Sequence, residues 1–165
     1  MKIKNTITKL KADNQGGFTL IELLVVIGIL AILLAVTLIA INPNKHFQDT
    51  RNAQRQSNVS AILDAIYEYE SANNGKEPPS VAAVTTAVPL STSGLGHVDV
   101  CTDLTPTYIA DLPSDPSIGT ITGGTTPCAA GVTAYTTGYQ ISQSNGRFTI
   151  TAPGAEDGAT ISVTR

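Results

Sequence analysis

Gly16-Gly17-Phe18-Thr19-Leu20-Ile21-Glu22 runs directly into residues 23–41, nineteen positions in which only Gly28 and Thr37 are not plainly apolar. At 1.5 Å per residue a helix of that length is close to what crosses a hydrocarbon core of about 30 Å. Glu22 therefore sets one carboxylate inside a stretch otherwise fit to span a membrane. A charge at mid-membrane costs on the order of 2.5–3.5 kcal/mol, so an ionisable residue there is expected to have a partner and a purpose.

Outward from this junction, charge divides the chain. Residues 1–17 carry Lys2, Lys4, Lys9 and Lys11 against Asp13, a net of +3, and everything from Phe18 on carries a net of −6. Basic flanks stay in the cytoplasm, so the leader is expected inside and the acidic remainder outside. Roughly 120 residues follow the apolar run, room for one modest core. They are rich in Thr, Ser, Gly and Pro and hold no Trp. An acidic exterior argues against nucleic acid as a partner, because phosphate neutralisation needs clustered Lys and Arg.

The N-terminus does not read as an ordinary secretory signal, whose apolar core is about 7–15 residues with a small-x-small cleavage site beyond it. A plain signal anchor accounts for the basic flank and the span, but not for Gly16-Gly17 or Glu22. Gly17-Phe18-Thr19-Leu20-Ile21-Glu22-Leu23-Leu24-Val25-Val26-Ile27 resembles the class III signal of type IV pilins and type II secretion pseudopilins. The resemblance implies cleavage between Gly17 and Phe18 by a membrane prepilin peptidase, and N-methylation of the new Phe18 terminus. Glycine suits the cleavage position because a residue without a side chain lets a protease approach the backbone closely. Glu22 becomes the fifth residue of the mature chain and, in the family, faces the terminal amine of a neighbouring subunit during assembly. The bland alternative is a Glu that caps the first helical turn, where the macrodipole favours an anion.

The same resemblance implies an α+β, lollipop-shaped fold with a long N-terminal helix packed on a small antiparallel sheet. The expected organisation is a cleaved leader (1–17), a transmembrane and filament-core helix (18–41), an amphipathic helix half (42–75) and a globular domain (76–165). A kink is expected at Pro43, within Asn42-Pro43-Asn44, since proline removes a helix hydrogen bond. Beyond it Val59, Ile62, Leu63 and Ile66 recur at three- and four-residue spacing, with Tyr67 and Tyr69 beside the stripe. Arg51, Arg55, Asp64, Glu68 and Glu70 are placed on other faces. Asn73-Asn74-Gly75 with Pro78-Pro79 is the stop.

Residues 77–96 read as a loop with one short helix at 81–87. Leu112-Pro113-Ser114-Asp115-Pro116 is a proline-braced turn and is similar to an element of pseudopilin-like chains. Residues 135–142, 147–152 and 159–164 alternate apolar and polar side chains, which predicts three antiparallel strands. Asn145-Gly146 is the strongest hairpin signal, and Glu156-Asp157-Gly158 makes the next turn.

Cys101 and Cys128 form no CxxC, and His97 and His46 give no zinc spacing. In an exported domain the expected state is a Cys101–Cys128 disulfide, with two free thiols as the alternative. Neither a nucleophile–base set nor a phosphate loop is visible, so no enzyme centre and no cofactor are expected. Asp99, Asp103, Asp111 and Asp115 raise calcium as an option, since some pseudopilins bind it before their terminal strands, but the spacing is no EF-hand loop. Solvated turn carboxylates are the simpler reading, and no metal site is expected. Tyr135 and Tyr139 are read as strand-packing residues, and the sequon Asn58-Val59-Ser60 falls on the predicted helix.

Together these readings point to a structural subunit of a type IV pilus. It is a single-pass protein of the cytoplasmic membrane before assembly and part of an extracellular filament afterwards. Its implied partners are copies of itself through the N-terminal helix, the prepilin peptidase, and an assembly platform with its ATPase. The alternatives are a pseudopilin of a type II secretion system and a minor tip pilin with a binding role; a membrane-tethered enzyme has no residue in its favour.

Overall fold

A computed structural model describes residues 17–40 and 42–165; the rest of the leader and Ile41 lie outside the described residues. Two compact units divide the chain, Met1–Asn42 and Pro43–Arg165.

The first unit is helix α1, Leu20–Ala40. Every large apolar residue along it from Leu20 to Ile39 is at least 50% exposed. By length and composition the helix can cross a membrane, and none of it is buried against protein. A helix is the open-ended structure that satisfies all its own backbone polar groups, as hydrocarbon requires. Its polar interruption obeys the same rule, for the Thr37 hydroxyl donates to Leu34 O at 2.9 Å.

The second unit opens with α2, Pro43–Ala72. Asn42 is not helical and Pro43 is the first helical residue. Proline is favoured there because its fixed φ suits a helix and its missing N–H would be unpaired anyway. At the far end Asn74 and Gly75 take positive φ (59° and 77°), and Gly75 N–H donates to Glu70 O at 2.8 Å. That 6→1 bond over a left-handed Asn is a Schellman stop, written by Asn73-Asn74-Gly75.

Between these ends α2 buries Arg55, Asn58, Val59, Ile62, Leu63, Ala65 and Ile66. Each fully buried Ile or Leu of this stripe is worth about 1.5–3 kcal/mol over leaving it in water. The stripe packs on a five-stranded antiparallel sheet: β1 Val88–Ser91, β2 Thr120–Thr122, β3 Ala134–Ser144, β4 Arg147–Thr151 and β5 Ser162–Thr164. The strand order is β1-β3-β4-β5, and β2 also pairs with β3. Thr136 faces both Ser91 and Thr120, while Gln140 faces both Pro89 and Thr151. Thus β2 and β4 follow one another along the same edge of β3, with β1 on the opposite edge. Tyr135, Tyr139 and Ile141 of β3 and Phe148 and Ile150 of β4 are buried on the inner face. The Phe148 ring meets Tyr67 edge-on with centroids 6.4 Å apart. Asn145 and Gly146 both take positive φ (53° and 72°), the backbone a two-residue hairpin needs.

Three expectations require correction. The sheet has five strands, not three, because β1 and β2 span 4 and 3 residues, too short to show an alternation. Residues 81–87 make turns rather than a short helix and lead into β1, so 77–96 is not all loop. The third expected strand shortens to β5, since the β4–β5 connection extends through residue 161.

Candidate functional site

At the start of α1, Gly17, Phe18 and Thr19 are non-helical and exposed, with Phe18 93% exposed. Thr19 N–H and the Thr19 hydroxyl both donate to Glu22 Oε2 at 2.8 Å, and Glu22 N–H reaches back to Thr19 Oγ1 at 3.3 Å. This is a capping box, in which a Thr at the N-cap and a Glu three residues later satisfy each other's orphan donors. The Thr-x-x-Glu spacing was its signal in the sequence. In the single chain, then, the Glu22 carboxylate is engaged by its own helix start, directly beside an exposed apolar surface and the Gly17–Phe18 bond.

The second unit has a polar centre. Arg55, expected on an outer face, is fully buried. Its spacing to Val59, Ile62 and Ile66 puts it on the apolar stripe, and a side chain long enough to reach a distant carboxylate can stay there. Arg55 Nε donates to Asp115 Oδ2 at 2.6 Å and Nη2 to Asp115 Oδ1 at 3.1 Å. Its Nη1 donates to Glu156 Oε2 at 3.0 Å and to Asn52 Oδ1 at 2.9 Å. Glu156 also takes two bonds from Arg51, at 2.6 and 2.7 Å.

Asp115 comes from the proline-braced turn and fills the gap between β2 and β4, its N–H donating to Thr137 O at 2.7 Å. Two glycines make room for it. A Cβ on Gly138 (φ 82°) would stand 2.7 Å from Asp115 Cβ, and one on Gly154 would stand 2.8 Å from Asp115 Oδ2. Leu112-Pro113-Ser114-Asp115-Pro116 thus delivers the counter-charge for a buried guanidinium.

Burial pushes the Asp115 carboxyl up, but the Arg55 guanidinium and the N–H groups of Ser117 and Ile118 outweigh it and bring it down to about 2. Hydrogen bonds from Arg51, then from Arg55, bring Glu156 to about 2 as well. Unfolded carboxyls titrate near pH 3.9–4.3. Both groups therefore lend stability that is fully present above about pH 5 and drains away as pH falls toward 2. The expected result is a melting temperature flat from pH 7 to 5 and falling steadily below 4, as read by circular dichroism in detergent micelles. A melting temperature independent of pH down to 2.5 would contradict it.

The remaining candidates take separate places. Asp99 Oδ1 accepts from Cys101 N–H at 3.0 Å and Tyr135 Oη at 2.7 Å. Asp103 accepts from Ser80 N–H at 3.0 Å, and Asp111 accepts from Cys128 N–H at 2.8 Å and from the Thr126 hydroxyl. Among the described residues no group of three or more His, Cys, Asp and Glu stands close enough to hold a metal ion. His97 Nδ1 lies 2.7 Å from Gly94 O, and His46 is exposed on α2. Cys101 and Cys128 are joined as a disulfide. Tyr135 and Tyr139 are buried in the sheet. Asn58 of the sequon is buried, and its Nδ2 donates to Tyr139 Oη at 2.8 Å, which closes it to modification in the folded domain.

Against known proteins, residues 13–38 match the family model described as the prokaryotic N-terminal methylation motif, a segment ending inside α1. No curated protein and no solved structure was found to match the chain. The matched segment is a class III, prepilin-type signal of the kind found in type IV pilins and pseudopilins. That motif implies processing by a prepilin peptidase and assembly into a pilin polymer.

Proposed function

We propose that the chain is a major, filament-forming subunit of a type IV pilus. The observation that carries this reading is α1: a long apolar helix exposed on every side, with one carboxylate at its start beside a prepilin cleavage motif. Lipid covers that surface before assembly and the equivalent helices of neighbouring subunits cover it afterwards. Cleavage falls between Gly17 and Phe18, the Phe18 amine is methylated, and Glu22 exchanges its capping bonds for the amine of the next subunit, fixing axial register. The assembly platform and ATPase act on the membrane-held form.

Mass spectrometry of the purified polymer is expected to show a chain beginning at methylated Phe18. Electron microscopy of cells is expected to show long surface filaments that Glu22→Ala reduces at least tenfold at unchanged subunit level. Filaments of ordinary number and length from Glu22→Ala would remove the assembly role of the carboxylate. Stubs confined to the envelope would instead assign the chain to a secretion pseudopilus, the second reading suggested by its proline-braced turn. One or two copies per filament would assign it to a tip.

A further inference from the structure

The first three turns of α2, residues 43–54, bury no side chain, and the first buried residue of the helix is Arg55. What joins them to the domain is polar and converges on one turn. Lys45 pairs with Asp157; Arg51 Nε and Nη2 pair with the two oxygens of Glu156; Asn52 Nδ2 donates to Glu156 O at 2.9 Å and Asn52 Oδ1 accepts from Glu156 N–H at 3.0 Å. The side chains of Arg51 and Asn52 and the ion pair of Lys45 with Asp157 thus meet on one turn. The turn is built for the task, since Asp157 and Gly158 both take positive φ (55° and 69°) and Ala159 N–H closes on Glu156 O at 3.1 Å. Its own anchor is the buried Arg55, which holds Glu156 from the other side.

We infer that Glu156 and Asp157 form a charge clasp, and that residues 43–54 are an arm that opens from the domain separately from the core. A helix of about a dozen residues is marginal in water without tertiary support. Here that support is electrostatic, half-exposed at Lys45–Asp157 and therefore sensitive to salt, whereas the stripe from Val59 to Ile66 is held by apolar burial that salt does not weaken. The clasp thus sets how firmly the first turns of α2 are held to the core of their own unit. It is a conformational device independent of which filament the subunit builds.

Hydrogen–deuterium exchange of the full chain in a nonionic detergent tests this, comparing wild type with a Lys45→Gln, Arg51→Gln double variant, which breaks the clasp from the arm side and leaves Glu156 to Arg55. Amides of residues 46–54 are expected to exchange about tenfold faster in the variant, a typical scale for losing a few partly exposed charged contacts, while those of 59–66 keep their rate. Raising salt to 0.5 M on wild type is expected to move the arm in the same direction by a smaller factor, and this covers the case in which the double variant does not fold. Arm protection unchanged by either treatment, or arm and core losing protection together, overturns the proposal.

Discussion

Asp115→Asn is expected to destabilise the domain by about 3–5 kcal/mol, the range for breaking a buried ion pair by removing one partner. The reason is Arg55. Its guanidinium is out of water and cannot shed its proton, so a neutral neighbour leaves a cation with only the half-shared Glu156 for compensation. Asparagine keeps an oxygen that can accept from Ser117 and Ile118 N–H, so the change isolates the lost charge from the lost turn. An Arg55→Met, Asp115→Asn double variant is expected to recover most of the loss, because an apolar residue at 55 needs no counter-charge. Denaturant unfolding in micelles, followed by circular dichroism, measures both. A single-variant cost below about 1 kcal/mol would mean that Glu156 alone neutralises Arg55 and that the centre lies elsewhere.

Replacing Cys101 and Cys128 by Ser is expected to cost about 3–4 kcal/mol, from the entropy returned to an unfolded chain freed of its 27-residue loop. That loop contains Asp115, so the two effects are not independent. With the disulfide gone, the segment that presents Asp115 is held less firmly, and Asp115→Asn should then cost less than it does in the oxidised chain. The double-mutant cycle is expected to show coupling of about 0.5–3 kcal/mol, as for residues in one network. Strict additivity would show that the anchors around Asp115, such as its N–H bond to Thr137 O, hold it without help from the disulfide.

The parts legible in the sequence are those whose signal is local. The apolar run and the Val59–Ile66 stripe announce helices because one face or the whole surface must leave water at the helical period. Asn145-Gly146 and Asn74-Gly75 announce a turn and a stop because few residues tolerate positive φ. Strands β3 and β4 show alternation over enough residues to be read, whereas β1 and β2 do not. Each gains its place from pairing with β3, a contact no short window contains.

Arg55 marks the boundary between the two kinds of knowledge. Its place on the stripe follows from counting, but a cation among Ile and Val is read as exposed unless its partners are known. Asp115 lies 60 residues away and Glu156 lies 101 away. Only the closed fold, with β3 and β4 carrying Gly138 and the Gly154 turn up to the same point, brings both carboxylates to it. By itself, then, the sequence determined the prepilin-type motif, the exposed apolar helix with Glu22 at its start, and the two-element plan of helix and sheet. All of these depend on contiguous residues and on water or lipid as solvent. The tertiary structure alone decided the five-stranded edge order, the buried Arg55–Asp115–Glu156 centre and the clasp on α2. The first depends on backbone pairing with β3, and the other two on distant charges that are affordable inside a protein only once the chain has folded them together.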